Sequence, residues 1–235
     1  EATLDSLRSA PLESVCIKED SLCTPEALVW RVSYRSLHDV TVHGWLTTPA
    51  QGNGPFAAFL ILPGYGRGPS KPNTYFASRG WACLSIQVSG YESVRAEHPQ
   101  DNSQYMTIGI DSPETWVFRE IVCHCLRGID FLASRPEIDS LRLGVTGGSQ
   151  GGGLSLLTAG LDCRVRAVSA GVPFLTNFPL SMTMTGNPFR EIVRYIEQHP
   201  DRKTRVMRTI SHADVLNFAD RITAPALVSA GLFDR

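Results

Sequence analysis

The five residues Gly147-Gly148-Ser149-Gln150-Gly151 constrain this chain more than any other stretch. An apolar run, Leu141–Val145, leads into them, and a helical pattern over Leu154–Ala159 follows, with Gly160 placed to end it. A strand that turns sharply into a helix brings the residues two before and two after its serine together, which favours glycine at both. Such a turn holds the serine in a strained backbone conformation and lifts its hydroxyl above the strand ends. The N-terminus of the following helix favours negative charge developing there. With 20 glycines in 235 residues, the bare pattern arises by chance in about one such chain in seven, so the flanking strand and helix carry the weight. The competing reading is a glycine-rich turn around a phosphate. The lysine that a Walker-type loop requires is missing from the motif, and Ser149 is therefore read as a nucleophile.

The rest of the chain supplies a matching frame. Phe56–Leu62 is a continuous apolar run, as a strand buried on both faces would be, and Ala82–Val88 is another, with a short helix expected at Thr74–Ser78 between them. Arg166–Ala170 and Ala226–Ala230 add strands. Leu28–Ser36 and Thr41–Thr48 alternate apolar and polar residues across Leu37-His38-Asp39-Val40, a hairpin connection. Helices are expected from Leu4 to about Ser14 and after Ser112-Pro113, an N-cap followed by proline at the first helical position. Val117, Ile121, Cys125 and Leu132 then recur at helical spacing. Strands alternating with helices predict an α/β fold, a mostly parallel central sheet with helices on both faces. The rhythm breaks over 174–219, which reads as a helical insertion above the sheet. One domain over 1–235 accounts for the length.

Composition excludes several function classes. Hydrophobic residues make up 43% and charged residues 19%, which fits a folded domain rather than a disordered one. No apolar run approaches the ~18 residues of a membrane helix, so no membrane partner is expected. A net charge of −1 without a basic stripe gives no footprint for nucleic acid. Of six cysteines, Cys83, Cys123 and Cys125 fall in probable core segments and read as small apolar residues; Cys16 and Cys23 would pair only in an exported protein. Cys123-His124-Cys125 looks like a metal fragment, but successive helical residues point in different directions, so neither a metal nor a cofactor is expected. The chain opens on Glu1 rather than Met, read as the mark of a removed upstream piece, and a cytoplasmic location is expected.

Acyl transfer at Ser149 needs two N–H donors for the oxyanion. The residue after the nucleophile, Gln150, is one. The second belongs on the loop after an earlier core strand, here Pro63-Gly64-Tyr65-Gly66-Arg67-Gly68, with Tyr65 the candidate; the bland alternative is a flexible connector. Asp234, beyond the Ala226–Ala230 strand, stands where the acid of a triad belongs in the order Ser, acid, His, although turn aspartates are common there too. The histidines are His38, His43, His98, His124, His199 and His212, and all precede Asp234. His212 sits in Ser211-His212-Ala213-Asp214, a capping-box pattern with a helix-structural role. The catalytic histidine is therefore expected to be encoded after Arg235, with recruitment of His212 or His38 as the competing view.

These residues also carry a resemblance. Gly144–Gly153 (GVTGGSQGGG), Pro173–Phe178 (PFLTNF), Ser211–Asp220 (SHADVLNFAD) and Gly231–Asp234 (GLFD) resemble the acetyl xylan esterase / cephalosporin-C deacetylase family of α/β-hydrolases. The resemblance implies an α/β-hydrolase fold and deacetylation of small acetyl esters, such as acetylated xylo-oligosaccharides, without a metal. It implies Ser149 as nucleophile, Asp234 as acid and Tyr65 and Gln150 as oxyanion donors, in a ring-shaped homo-hexamer. Tyr65 together with Pro173 and Phe174 would wall the acyl side of the substrate pocket and favour short acyl groups. Two positions depart from the family: Pro63 replaces the histidine of its His-Gly-Tyr, and Ser89-Gly90-Tyr91 replaces its Arg-Gly-Gln. The rivals are a prolyl-oligopeptidase-like serine peptidase, which normally carries a propeller domain that these residues do not contain, and a hydrolase-like binding module without catalysis.

Overall fold

The computed structural model describes residues 2–52, 54–66, 71–88, 105–184 and 186–231. Eight strands form one sheet among them: β1 (Val15–Lys18), β2 (Ala27–Arg35), β3 (Thr41–Pro49), β4 (Phe56–Leu62), β5 (Ala82–Ile86), β6 (Ile138–Gly148), β7 (Val165–Gly171) and β8 (Ala226–Ser229). Their spatial order is β1-β2-β3-β5-β4-β6-β7-β8. From β5 to β8 every pairing is parallel, and β1, β2 and β3 add an antiparallel edge. Leu60 of β4 stands opposite Leu84 of β5 and Val145 of β6, so the apolar runs read from the sequence lie side by side at the sheet centre.

Neighbouring residues of β4 show how the two faces are covered. Phe59 packs on Phe76 of a short helix α2 (Thr74–Ala77), with ring centroids 5.6 Å apart. Leu60 points the other way, onto α3 (Val117–Ser134), where a methyl on Gly128 would come within 3.0 Å of Leu60 Cδ1. Period-two alternation thus places helices on both faces. The covering is unequal. Among the described residues α2 is four residues long and leaves Phe59 and Ile61 half-buried, so that face of β4 is less covered than its composition suggests. The face toward α3 and α4 (Gln150–Leu161) holds the main core, including Leu60, Leu84, Val145, Ile121 and Leu154.

Several boundaries differ from the sequence reading for local reasons. α1 (Ala2–Ser9) is shorter than expected, because β1 follows and pairs with β2. Ser112 accepts the Glu114 N–H as an N-cap would, but α3 starts only at Val117. Trp116 Nε1 donates to Met106 O at 2.8 Å and Thr115 Oγ1 to Gly109 O at 2.8 Å. These bonds hold Trp116 extended and interrupt a helix at 112–116. Gly160 lies inside α4 rather than ending it; a methyl there would come 3.0 Å from Phe218 O, so the glycine admits a neighbouring segment. Leu141 is exposed because it lies in the irregular stretch of β6 between the Ile138 and Leu143 pairings with β4.

The expected insertion is helical: α5 (Phe178–Met184), α6 (Phe189–Gln198) and α7 (Lys203–Ile210), followed by 3-10 turns to Arg221. The Ser211-His212-Ala213-Asp214 pattern does not form a capping box. Ser211 Oγ donates back to Arg208 O, while Asp214 caps the next turn at Leu216 N and accepts the N–H groups of Asn177 and Phe178 at 2.8 Å each. Cys83, Cys123 and Cys125 are buried, and all six cysteines are free. Among the described residues no helix is long and apolar enough to cross a membrane.

His124 is fully buried on α3, with Nδ1 2.7 Å from Ser36 Oγ, and burial pushes its pKa down to about 3. The unfolded chain takes up this proton near pH 6.5 and the folded chain only near pH 3. The stability this neutral side chain permits is therefore complete above pH 6.5 and is lost as pH falls below it, by at most ~1.4 kcal/mol per unit. Urea unfolding at pH 6.5 and 4.5 should show a larger loss in the wild type than in His124→Asn, which has nothing to titrate. Equal losses would remove His124 as the cause.

Candidate active site

Three loops leave the carboxyl ends of adjacent parallel strands and meet: one after β4 with Tyr65, one after β6 with Ser149, one after β7 with Pro173 and Phe174. Open α/β sheets present their sites at this edge. Ser149 is exposed and has φ +55° and ψ −121°, a region an L-residue enters only under constraint, at a cost of order 1–3 kcal/mol. Its N–H donates to Gly171 O at 2.8 Å, and its carbonyl accepts both Gly153 N–H at 3.1 Å and Phe174 N–H at 3.0 Å. The elbow is thus tied to the end of β7 and the first turn of α4. Ser149 occupies the N-cap position of α4, so the unpaired N–H groups of the first turn surround its hydroxyl with positive potential.

The flanking glycines are required by close approach. A methyl on Gly147 would lie 2.5 Å from the carbonyl carbon of Gly151, and one on Gly151 would run into Leu62 O at the end of β4. Gly148 is different: its nearest atom would be Gly171 O at 3.9 Å, ordinary contact.

Gln150 is buried as the first residue of α4, and its side-chain Oε1 accepts the Tyr105 hydroxyl at 2.5 Å. Tyr105 stacks on Tyr65, with centroids 4.0 Å apart and planes 18° from parallel. The Tyr65 hydroxyl donates to both carboxylate oxygens of Glu191 on α6, at 3.0 Å each. Burial, then the negative charge of Glu191, raises the Tyr65 pKa, and burial raises that of Tyr105, so both phenols stay protonated donors. Phe174 is buried, edge-on to Tyr65 at 6.3 Å and against Phe189 at 4.4 Å. The structure therefore brings together Ser149, Gln150, Tyr65 and Phe174, with Pro173 beside them in the chain.

Asp234 lies outside the described residues, as do Ser89-Gly90-Tyr91, Arg67-Gly68 and His98. Of the described histidines, His38 reaches Glu120 at 3.2 Å, His124 reaches Ser36, and His199 packs on Tyr195 at 4.8 Å; His43 and His212 are exposed. Among the described residues no side-chain hydrogen bond joins a histidine to Ser149. Cys123 and Cys125 pack in separate apolar clusters, and the described residues contain no group of metal-ligating side chains. Tyr105 and Glu191 were not singled out from the sequence. Tyr105 falls in a short aperiodic turn (Tyr105–Thr107), and Glu191 reads as an ordinary acid in a first helical turn.

The profile of the acetyl xylan esterase (AXE1) family matches residues 1–235. The chain is 29% identical over 246 residues to "Acetyl esterase Axe7A" of Xylanibacter ruminicola, an alignment that takes in 100% of this chain and 55% of that protein. The chain thus spans about half the length of this curated relative. Among solved structures, an acetyl xylan esterase from Paenibacillus sp. R4 superposes with a TM-score of 0.86 at 33% identity, over 94% of this chain and 74% of that one. Acetyl xylan esterase 1 from Thermoanaerobacterium sp. JW/SL YS485 gives 0.85 at 24% identity, over 97% and 75%. The fold is that of the α/β-hydrolases.

The two kinds of glycine separate experimentally. Gly151→Ala should unfold well below the wild type, since overpacking against a fixed backbone carbonyl costs about 1–3 kcal/mol or more, whereas Gly148→Ala should unfold within a degree or two of it. Thermal unfolding of both variants checks this, and equal midpoints would show that the approach of Gly151 to Leu62 does not restrict the elbow.

Proposed function

The chain belongs to the acetyl xylan esterase family, and from that premise we propose that it is a serine esterase removing acetyl groups from small acetylated substrates, acetylated xylo-oligosaccharides among them. One observation carries the reading. Ser149 stands exposed in a strained left-handed conformation at a helix N-terminus, beside the two residues read as oxyanion donors. In this mechanism the Ser149 hydroxyl attacks the ester carbonyl while a histidine oriented by Asp234 takes its proton. The backbone N–H groups of Gln150 and Tyr65 hold the oxyanion, and the alcohol leaves with the proton. Water then attacks the acetyl-enzyme, releasing acetate and restoring the serine. The family model over the whole chain and the acetyl esterase that aligns with all of it favour this chemistry over peptide cleavage, and comparing acetyl-ester with peptide turnover separates the two. Ser149→Ala in the full-length protein should lower acetyl-ester hydrolysis by at least ~10³-fold with unchanged thermal stability. A variant retaining more than a tenth of the wild-type rate would refute the nucleophile.

The walls described above also suggest a short acyl pocket. Tyr65 is fixed by Tyr105 and Glu191, and Phe174 by Phe189, so neither can swing aside without breaking buried contacts. A longer acyl chain overlaps such walls at a cost of about 1–3 kcal/mol. In a series of aryl esters, kcat/KM should fall steeply from acetate to octanoate, and equal or faster turnover of the octanoate would sink the pocket assignment.

A further inference from the structure

We propose that Tyr105 is a positioning residue that fixes the spacing of the two oxyanion donors, holding Gln150 by its hydroxyl and Tyr65 by its ring face. The inference rests on the esterase reading above and extends it to a residue outside the nucleophile motif and the oxyanion loop. Tyr105 is buried, and its ring stacks on two others, Tyr65 at 4.0 Å and Phe118 at 6.0 Å, both within 25° of parallel. Phe118 belongs to the first turn of α3 and is wholly buried in the main core. The ring of Tyr105 is therefore referenced to the core, and the loop after β4 is referenced to the ring.

The hydroxyl makes the second connection. It donates to Gln150 Oε1 at 2.5 Å, and its own oxygen accepts the Gly66 N–H. Gln150 Nε2 is buried without a hydrogen-bond partner among the described residues, so Tyr105 is the group that orients this amide. One side chain thus touches the residues carrying both N–H donors, Tyr65 and Gln150, which stand 85 positions apart in the sequence. The far end of Tyr65 is latched on Glu191, which leaves its loop little freedom to compensate for a change at Tyr105. Oxyanion donors act when they lie 2.7–3.1 Å from the developing charge, and a displacement of ~1 Å can cost ~10²-fold in rate.

The test is steady-state kinetics of the full-length protein on an aryl acetate, with Tyr105→Phe and Gln150→Met. The first keeps both ring stacks and removes the hydroxyl; the second keeps the backbone N–H of residue 150 and removes the acceptor. Each should lower kcat by about 10-fold or more with KM within about threefold. Affinity for a trifluoromethyl ketone, whose adduct with Ser149 carries the oxyanion, should fall in step with kcat, while inhibition by free acetate stays put. A merely structural role would move the two ligands together. Wild-type kcat in either folded variant, or a change confined to KM, would overturn the proposal. Should Tyr105→Phe fail to fold, Gln150→Met decides by the same criteria. A wild-type protein that turns over no acetyl ester would instead remove the esterase reading itself, so the two failures are distinguishable.

Discussion

Ser149 can hold its left-handed backbone only because Gly147 and Gly151 let three strands and a helix meet with no side chain between them. The Leu62 carbonyl at the end of β4 occupies the space a methyl on Gly151 would need, and the Gly171 carbonyl at the end of β7 takes the Ser149 N–H. The parallel register of β4, β6 and β7 and the entry of α4 are therefore joined at one point. Because three elements over-determine the conformation, the strain persists where a free turn would relax it. The same geometry directs the hydroxyl away from the sheet and sets the first turn of α4 beneath it.

Around that point the protein spends polar groups deep inside an aromatic layer. Tyr65, Tyr105, Phe118, Phe174 and Phe189 form a continuous chain of ring contacts, and two phenol hydroxyls within it find acceptors on Gln150 and Glu191. Hydrogen bonds are stronger in such a low-dielectric setting, and leaving one unmade there is correspondingly costly. The insertion takes part in this layer through Phe189 and Glu191. Away from the site it is fastened again where Arg202 and Tyr195 both bond Asp111 Oδ2, at 2.7 and 2.9 Å, while Asp214 ties the two ends of the insertion to each other through three N–H groups. The segment that interrupts the strand–helix rhythm is thus anchored to the sheet edge at which the loops converge.

How much of this was legible depended on whether a signal was local. The β4 run was readable to the residue, because an apolar segment of strand length bounded by Pro63-Gly64 carries its own stop. The Gly147–Gly151 motif was readable because backbone crowding excludes every other residue at its ends. The start of α3 was misplaced because Ser112 does cap a turn, and only bonds from Trp116 and Thr115 to residues earlier in the chain stop that turn from becoming the helix. Gly160 was misread for the reverse reason: its meaning lies in Phe218, 58 residues away, and not in the helix around it. β1 escaped because its four residues, Val15–Lys18, are too few to show a period and three of them are exposed.

The sequence by itself determined the alternation of the central strands and helices, the serine on its strained turn and the loops that flank it, since each follows from spacing or composition within a short window. Only the tertiary structure brought Tyr105 to Gln150 and Glu191 to Tyr65. Neither residue has a local pattern, and their contacts cross 45 residues of chain to Gln150 and 126 to Tyr65. A hydrogen bond between distant segments is written in the packing of the whole core, where rings and helices fix which side chains can reach each other, and no window of sequence contains that information.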